Sequence, residues 1–320
     1  MAFSASNFDS LPDNIALEIF SYLPVKELCV AGSVCRRWRR ITNDNSLWRY
    51  VDLLPYRLNL QKTWKVLRAH FSECLRVIRF KGFIGTGVSK WKKHTVSDAM
   101  IADLKDRCPN LHEFHLASCN TDNLDSLKLP TTLQKLVLHN CTWQPRWLRG
   151  TSNNLISSLS WIDLTGCSRV DNFDLEDISK FSKLEVLILN NCYRVGETGM
   201  NHIAASLTHI THLEVSGTMC NDLSIHKMSR NLSKLEYLNI SQCPEITQSS
   251  LMTIASGLKK LKHIDISHGM NLKLESLFCL SELKYLRVLI TGSELSDNDI
   301  KILKDRLLKC DIKCKEKNVK

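Results

Sequence analysis

The spacing of apolar residues constrains this chain more than anything else in it. The pattern apolar-x-x-apolar-x-apolar recurs nine times. It reads Leu75/Ile78/Phe80, Leu111/Phe114/Leu116, Leu133/Leu136/Leu138, Leu159/Ile162/Leu164 and Leu184/Leu187/Leu189, then Ile210/Leu213/Val215, Leu235/Leu238/Ile240, Leu261/Ile264/Ile266 and Leu286/Leu289/Thr291. The first residues of successive copies lie 36, 22, 26, 25, 26, 25, 26 and 25 positions apart. Six consecutive intervals alternating between 25 and 26 do not arise by chance. One such short strand cannot bury its own apolar face, so the copies must stack on one another.

A strand of this pattern returning every 25 or 26 residues is the mark of leucine-rich repeats, each a strand followed by a helix. The expected fold class is α/β, a right-handed solenoid over residues 75–300 with parallel strands on the concave face and helices on the convex face. Three residues past the last apolar position several copies carry cysteine: Cys119, Cys141, Cys167, Cys192 and Cys243. That position turns inward below the loop, where a small side chain with weak hydrogen-bonding capacity fits, and free cysteine is such a residue. Thr218, Gly269 and Glu294 replace it in three later copies. The returning segments read as helices, with Ser97 and Thr247 as caps before apolar residues three and four apart. The long first interval contains Gly82, Gly85, Gly87 and Lys90-Trp91-Lys92-Lys93 and reads as a basic surface loop inserted at 81–97. Residues 301–320 read as a capping helix, a last strand near Ile312 and a basic tail.

Residues 8–52 form a different unit, with 53–74 as a helical linker. Leu11, Ile15, Ile19 and Leu23 recur every four residues, the stripe of a helix capped by Ser10 and stopped by Pro24. A second helix follows, then a third carrying Val34, Trp38 and Ile41. Roughly 45 residues do not enclose Phe20, Tyr22, Trp38 and Trp48 as well as that stripe, because domains this small need a staple or a partner. The residues alone therefore give a helical module that packs on another protein.

Leu11-Pro12, Ile19-Phe20-Ser21-Tyr22-Leu23-Pro24, Val34-Cys35-Arg36-Arg37-Trp38 and Leu47-Trp48 resemble the F-box motif at its usual internal spacing. Followed by cysteine-bearing repeats, the whole chain resembles the F-box/leucine-rich-repeat family. Trp64 to Leu67, His139 to Cys141, Tyr193-Arg194-Val195 and Glu197-Thr198-Gly199 add a closer likeness to one of its members. The resemblance implies a substrate-recognition subunit of an SCF-type ubiquitin ligase, without chemistry of its own. A Skp-type adaptor would bind Leu11, Pro12, Ile15, Ile19, Phe20, Leu23, Val34, Trp38, Leu47 and Trp48 and link the chain to cullin and RING subunits. Except for Phe20 and Leu47, these adaptor-facing residues are expected to be largely buried only once the adaptor is bound.

Alternation along each strand sends the residues between the leucines outward. Arg79, His115, Trp161, Asp163, Ile188, Glu214, Tyr237 and His263 are thereby the expected substrate-binding residues, with exposed Val186 and Ile188 between Trp161 and Tyr237. The net charge of +10 is concentrated, with ten Lys or Arg against one acid in residues 53–93. Lys62, Lys65, Arg68, Arg76, Arg79, Lys81, Lys90, Lys92 and Lys93 are expected to form a positive rim where the module meets the solenoid.

Other chemistries find little support. Cys310 and Cys314 are a lone pair short of a four-ligand zinc site, and His112-Glu113-Phe114-His115 is a residue short of a metalloprotease motif. Gly82 to Gly87 matches no nucleotide loop, and Cys35 beside its arginines has no base to make it a nucleophile. No catalytic residue, metal or cofactor is expected. The N-terminal stretch reads as no secretory signal, no window reaches 18 apolar residues, and thirteen cysteines are expected as reduced thiols of a cytoplasmic and/or nuclear protein. Neither nucleic acid nor membrane is an expected partner, since the repeats lack an aromatic-and-basic stripe. The alternative is a leucine-rich-repeat scaffold that binds proteins independently of ubiquitin.

Overall fold

The computed structural model describes residues 8–84, 94–151, 153–268, 273–292 and 295–315. Gly85, Gly87, Lys90, Trp91, Lys92, Lys93, Gly269 and Glu294 lie outside them. The chain begins with three helices, α1 (Asp13–Ser21), α2 (Val25–Val34) and α3 (Arg36–Thr42). Eleven strands then pair in sequence order into one parallel sheet. They are β1 (Tyr50–Asp52), β2 (Val77–Lys81), β3 (Glu113–Ala117), β4 (Lys135–His139), β5 (Trp161–Asp163) and β6 (Val186–Ile188). The sheet continues with β7 (His212–Glu214), β8 (Tyr237–Asn239), β9 (His263–Asp265), β10 (Val288–Gly292) and β11 (Asp311–Lys315). Between strands run α4 (Leu60–Leu67), α5 (Asp98–Arg107), α6 (Asn153–Ser158), α7 (Asn172–Ile178), α8 (Glu197–Ser206), α9 (Asp222–Asn231), α10 (Gln248–Gly257), α11 (Leu274–Leu277) and α12 (Asp297–Arg306). Parallel neighbours require such crossovers, which are right-handed by the general rule for strand–helix–strand units.

The register follows the apolar spacing residue for residue. Ile78, Phe114, Leu136, Ile162, Leu187, Leu213, Leu238, Ile264 and Leu289 stand in one paired row and are at most 1% exposed. A continuous apolar core runs from Val25 to Ile312. Two strands extend the nine: β11 at Ile312, as the tail pattern suggests, and β1, which falls inside the N-terminal module. The segment 53–74 is thus part of the solenoid: β1 and α4 make its first unit, and Leu53, Leu67, Phe71 and Leu75 sit in the common core. Ser97 and Thr247 cap α5 and α10 as expected, accepting from Met100 and Ser249 amides. The short 22-residue unit has only a 3₁₀ turn, Ser126–Lys128, on its outer side. Buried Trp143 and Trp147, 5.3 Å apart, fill the space in the next unit.

The cysteine ladder closes each loop. Cys119, Cys141, Cys167, Cys192 and Cys243 are all buried. The thiols of Cys141, Cys167, Cys192 and Cys243 reach the carbonyls of Leu116, Leu138, Leu164 and Val215 on the preceding strand at 3.1–3.4 Å. Thr218 takes the same position in its unit, but its hydroxyl donates back to Val215 O of its own unit at 2.7 Å. Burial pushes these thiols above their usual range, so they are apolar wedges with one donor each. The residue just before the ladder turns through the left-handed region in seven successive units: Ser118, Asn140, Gly166, Asn191, Gly217, Gln242 and His268, at φ 51° to 73°. At Gly166 an added Cβ would press on the Asn140 side chain, so that turn favours glycine for its space as well as for its φ.

Within the N-terminal module α1 starts at Asp13, with Pro12 as its flanking residue and Ser10 in a preceding 3₁₀ turn, so Ser10 is not the cap. Asp13 holds α1 to α3 through ion pairs with Arg37, at 2.9 Å, and Arg40. The hydrogen bond from Arg37, helped by both cationic charges, lowers the Asp13 carboxyl below its usual range. Ala16, Phe20, Leu28, Ala31 and Ile41 form a small core of their own, joined to the solenoid through Leu47, Val25 and Trp48.

Candidate functional site

Two surfaces qualify, one on the helices and one on the sheet. On α1 the buried stripe is Ala16 and Phe20, one residue along from the stripe of Ile15 and Ile19. Those two isoleucines therefore face outward, 38% and 40% exposed, beside Tyr22 at 80%, and α2 adds Val30 at 53% and Val34 at 60%. Pro12 is exposed and Leu11 half-buried. Ile15 and Ile19 lie one turn apart on α1 and Val30 and Val34 one turn apart on α2, and large apolar side chains this open are the mark of an interaction surface.

Two expected members of that surface are elsewhere. Phe20 is 3% exposed, its ring 5.8 Å from Phe8 and 5.1 Å from Trp38, so it builds the module's own core. Trp48 is 2% exposed, stacked on the His70 imidazole at 3.5 Å, with its indole N–H donated to Thr42 O at 2.8 Å. It is the pin between module and solenoid and needs no partner to bury it. Trp38, Leu23 and Leu47 are half-buried against the small core, so they are shared between core and surface. Cys35 is exposed and caps α3, its sulfur accepting from the Trp38 amide at 3.4 Å. Two further open residues are Tyr22, which the sequence marks as unenclosed and which ends α1 as its C-cap, and Val30 on α2, which spacing alone does not single out.

On the sheet, paired register lines up two outward rows. The first reads Val77, Glu113, Lys135, Trp161, Val186, His212, Tyr237 and His263; the second Arg79, His115, Val137, Asp163, Ile188, Glu214, Asn239 and Asp265. All eight expected substrate-binding residues stand on this face, but their side chains crowd together. Ile188 is 8% exposed, as are Asp163 and Asn239, and His115 is 9%. The open apolar strip expected around Ile188 is thus closed at that residue, which sits between Asp163 and Glu214 in register on a concave surface where side chains converge. The aromatics form a stack instead. His212 lies 3.9 Å from Tyr237 and 6.2 Å from Trp161, Tyr237 lies 4.2 Å from His263, and Lys135 Nζ sits 3.8 Å over the Trp161 ring.

Carboxylates run beside that stack. Asp163 accepts from His139 Nε2 and Thr165 Oγ1, each at 2.7 Å. Glu214 lies 2.9 Å from His212 Nε2 and accepts from Asn190 Nδ2 at 2.5 Å. Burial opposes ionisation of both, yet these hydrogen bonds hold both carboxyls below their usual range. The bond to Asp163 raises His139, whereas burial lowers His115 and His263. Burial, then the charges of Glu214 and Asp265, pushes the Tyr237 hydroxyl up to about 12.

The residues of the expected positive rim are spread over two elements. Lys62, Lys65 and Arg68 belong to the helical layer around α4, whereas Arg79 lies on the sheet within 4 Å of Asp52 and Glu113. Lys90, Lys92 and Lys93 lie outside the described residues. Among the described residues no group of three or more His, Cys, Asp or Glu is placed to hold a metal ion, and no helix is long and apolar enough to cross a membrane.

A three-helix module with an open apolar face, fused to an eleven-strand leucine-rich solenoid, is the architecture of a protein-interaction molecule. The F-box-like family model matches residues 8–54. F-box/LRR-repeat protein 12 of Homo sapiens is 32% identical over 235 residues, covering 72% of this chain and 71% of that protein. Its Mus musculus counterpart is 32% identical over 241 residues, covering 74% and 72%. The chain belongs to the F-box/LRR-repeat family. A solved structure of the yeast Rad7 and Elc1 complex aligns over 96% of this chain and 90% of that one, at 17% identity and a TM-score of 0.45.

Proposed function

We propose that this chain is the substrate-recognition subunit of an SCF-type ubiquitin ligase. Its N-terminal helices dock a Skp-type adaptor through Leu11, Pro12, Ile15, Ile19 and Val34, with Tyr22 and Val30 enlarging the contact and Leu23, Trp38 and Leu47 supporting it from beneath. Through that adaptor the chain would join cullin and RING subunits, and the concave sheet would hold the protein to be ubiquitinated. The chain itself would supply position and no bond-making step.

One observation carries the reading: five large apolar side chains stay open on a module that matches the F-box-like model. Burying apolar surface is worth about 25 cal/mol per Å², so an exposed cluster on so small a unit is a site waiting for a partner. The test is co-purification with a Skp-type adaptor after Leu11→Ala with Pro12→Ala. Loss of the adaptor with the repeats still folded supports the reading; unchanged recovery overturns it.

A further inference from the structure

What the concave face would hold, given that reading, is written in its charges. Asp163, Glu214 and Asp265 occupy equivalent second-row positions on β5, β7 and β9, with Ile188 and Asn239 between them. Asp163 and Asp265 are 8% and 1% exposed, and the Glu214 side chain 17%. Carboxylates withdrawn from water this far ordinarily meet a positive charge. Asp265 does: Lys315 Nζ reaches it at 2.5 Å from β11, past β10. Asp163 and Glu214 have imidazoles, a hydroxyl and an amide, and no ammonium or guanidinium among the described contacts.

The sequence of these five strands sharpens the contrast. None of the outward positions on β5 to β9, nor the next outward residues Thr165, Asn190, Ser216, Ser241 and Ser267, is Lys or Arg, in a chain whose net charge is +10. Alongside runs the ring stack from Trp161 to His263, and the face of an aromatic ring attracts cations. The chain's own lysines occupy both kinds of cation position at the two ends, Lys135 over Trp161 and Lys315 on Asp265. The middle has the same two ingredients, and among the described contacts its carboxylates meet only the imidazoles of His139 and His212 and no lysine or arginine.

We propose that the β5–β9 trough takes an extended basic segment of a protein substrate, whose lysine or arginine side chains answer Asp163 and Glu214 while lying against Trp161 and Tyr237. The spacing narrows the segment further. Alternate strands lie about 9.6 Å apart, and a polyproline-type helix brings every third residue to the same side about 9.3 Å on. The matching segment therefore carries a cation every third residue and crosses the strands. Acidic or phosphorylated segments meet repulsion here.

The probe is a labelled peptide of about twelve residues repeating Lys-Pro-Ala, titrated by fluorescence anisotropy against the full chain in complex with its adaptor. Two controls replace each lysine by glutamate, or keep the composition and shuffle the spacing. The expected result is binding of the lysine repeat, at least fivefold weaker binding of the shuffled peptide and none of the glutamate peptide. Glu214→Gln, which keeps the side chain's shape, is expected to weaken binding at least tenfold. Lys315→Ser, at a solvent-exposed strand edge, is expected to strengthen it several-fold by freeing Asp265. Should Glu214→Gln unfold, Lys315→Ser carries the test alone. Equal binding of the glutamate peptide, or binding indifferent to spacing and to both substitutions, overturns the inference. Adaptor recovery is scored on the same samples. Adaptor retained without peptide binding overturns this inference only, whereas loss of the adaptor from the unmodified chain overturns the receptor reading instead.

Discussion

The N-terminal helices and the solenoid treat their apolar residues in opposite ways. In the solenoid the leucines of nine successive strands are sealed, because each unit covers its neighbour and the terminal strands β1 and β11 extend the stack. In the helical module Ile15, Ile19, Tyr22, Val30 and Val34 stay open within twenty residues of sequence, while Phe20 and Ile41 form a small core beneath. The solenoid seals its apolar rows; the module leaves part of its apolar surface open. Stability and partner binding should therefore separate by region, and substitutions can break or sharpen that division.

The largest effect belongs to the module. Ile15→Asp with Ile19→Asp places two charges on the open face and is expected to reduce adaptor affinity at least a hundredfold, about 3 kcal/mol, while the melting temperature barely moves. Calorimetric titration with purified adaptor reads the first and differential scanning calorimetry the second; early melting with adaptor affinity intact would invert the division.

Next comes the solenoid's turn. Gly166→Ala should cost about 2 kcal/mol or more, since a left-handed non-glycine residue is strained and the added Cβ meets the Asn140 side chain. Asn191→Gly, at the equivalent turn, should be nearly neutral. Equal costs for the two by urea denaturation would contradict the turn assignment. Trp161→Ala and Tyr237→Ala should each cost on the order of 2 kcal/mol in substrate affinity and little in stability, if the ring stack is a contact hot spot. Early melting of both would return the stack to a purely structural role.

A smaller effect probes the joint between the regions. Burial against Trp48 lowers His70 to about 4, against 6.5 unfolded. The unfolded chain then binds a proton that the folded chain refuses. The contribution is fully present above pH 6.5 and is lost as pH falls from there toward 4, by ~1–2 kcal/mol. Chemical denaturation at pH 7.5 and pH 5 should show that loss, and His70→Phe should remove its share of the slope. The smallest change is on the ladder: Cys192→Ala should cost about 1 kcal/mol through its lost bond to Leu164 O, and Cys192→Ser less, as a hydroxyl still has a proton to donate to that carbonyl.

The sheet was legible in the sequence because a fixed period and a two-residue alternation leave one register that buries every leucine. The ladder cysteines and the caps Ser97 and Thr247 followed from the same frame. The first unit was not legible: β1 offers only Val51 and Leu53 and overlaps the F-box motif, so α4 looked like a linker. On α1 a nine-residue helix with apolar residues at 15, 16, 17, 19 and 20 has two competing stripes, and spacing alone does not say that Ala16 and Phe20 win. The left-handed turn is held by Ser, Asn, Gly, Gln and His in different units, so no residue type announces it. The closure of Ile188 depends on how far a concave sheet draws its side chains together, and strand periodicity carries no such information.

If the helices, and not the sheet, take the adaptor, hydrogen exchange of the purified chain with and without a Skp-type adaptor should show it. A stable complex is expected, with slowed exchange confined to α1, α2 and α3 and the amides of β5 to β9 unchanged. Absence of a complex, or protection centred on β5 to β9 with the helices unaffected, would contradict it.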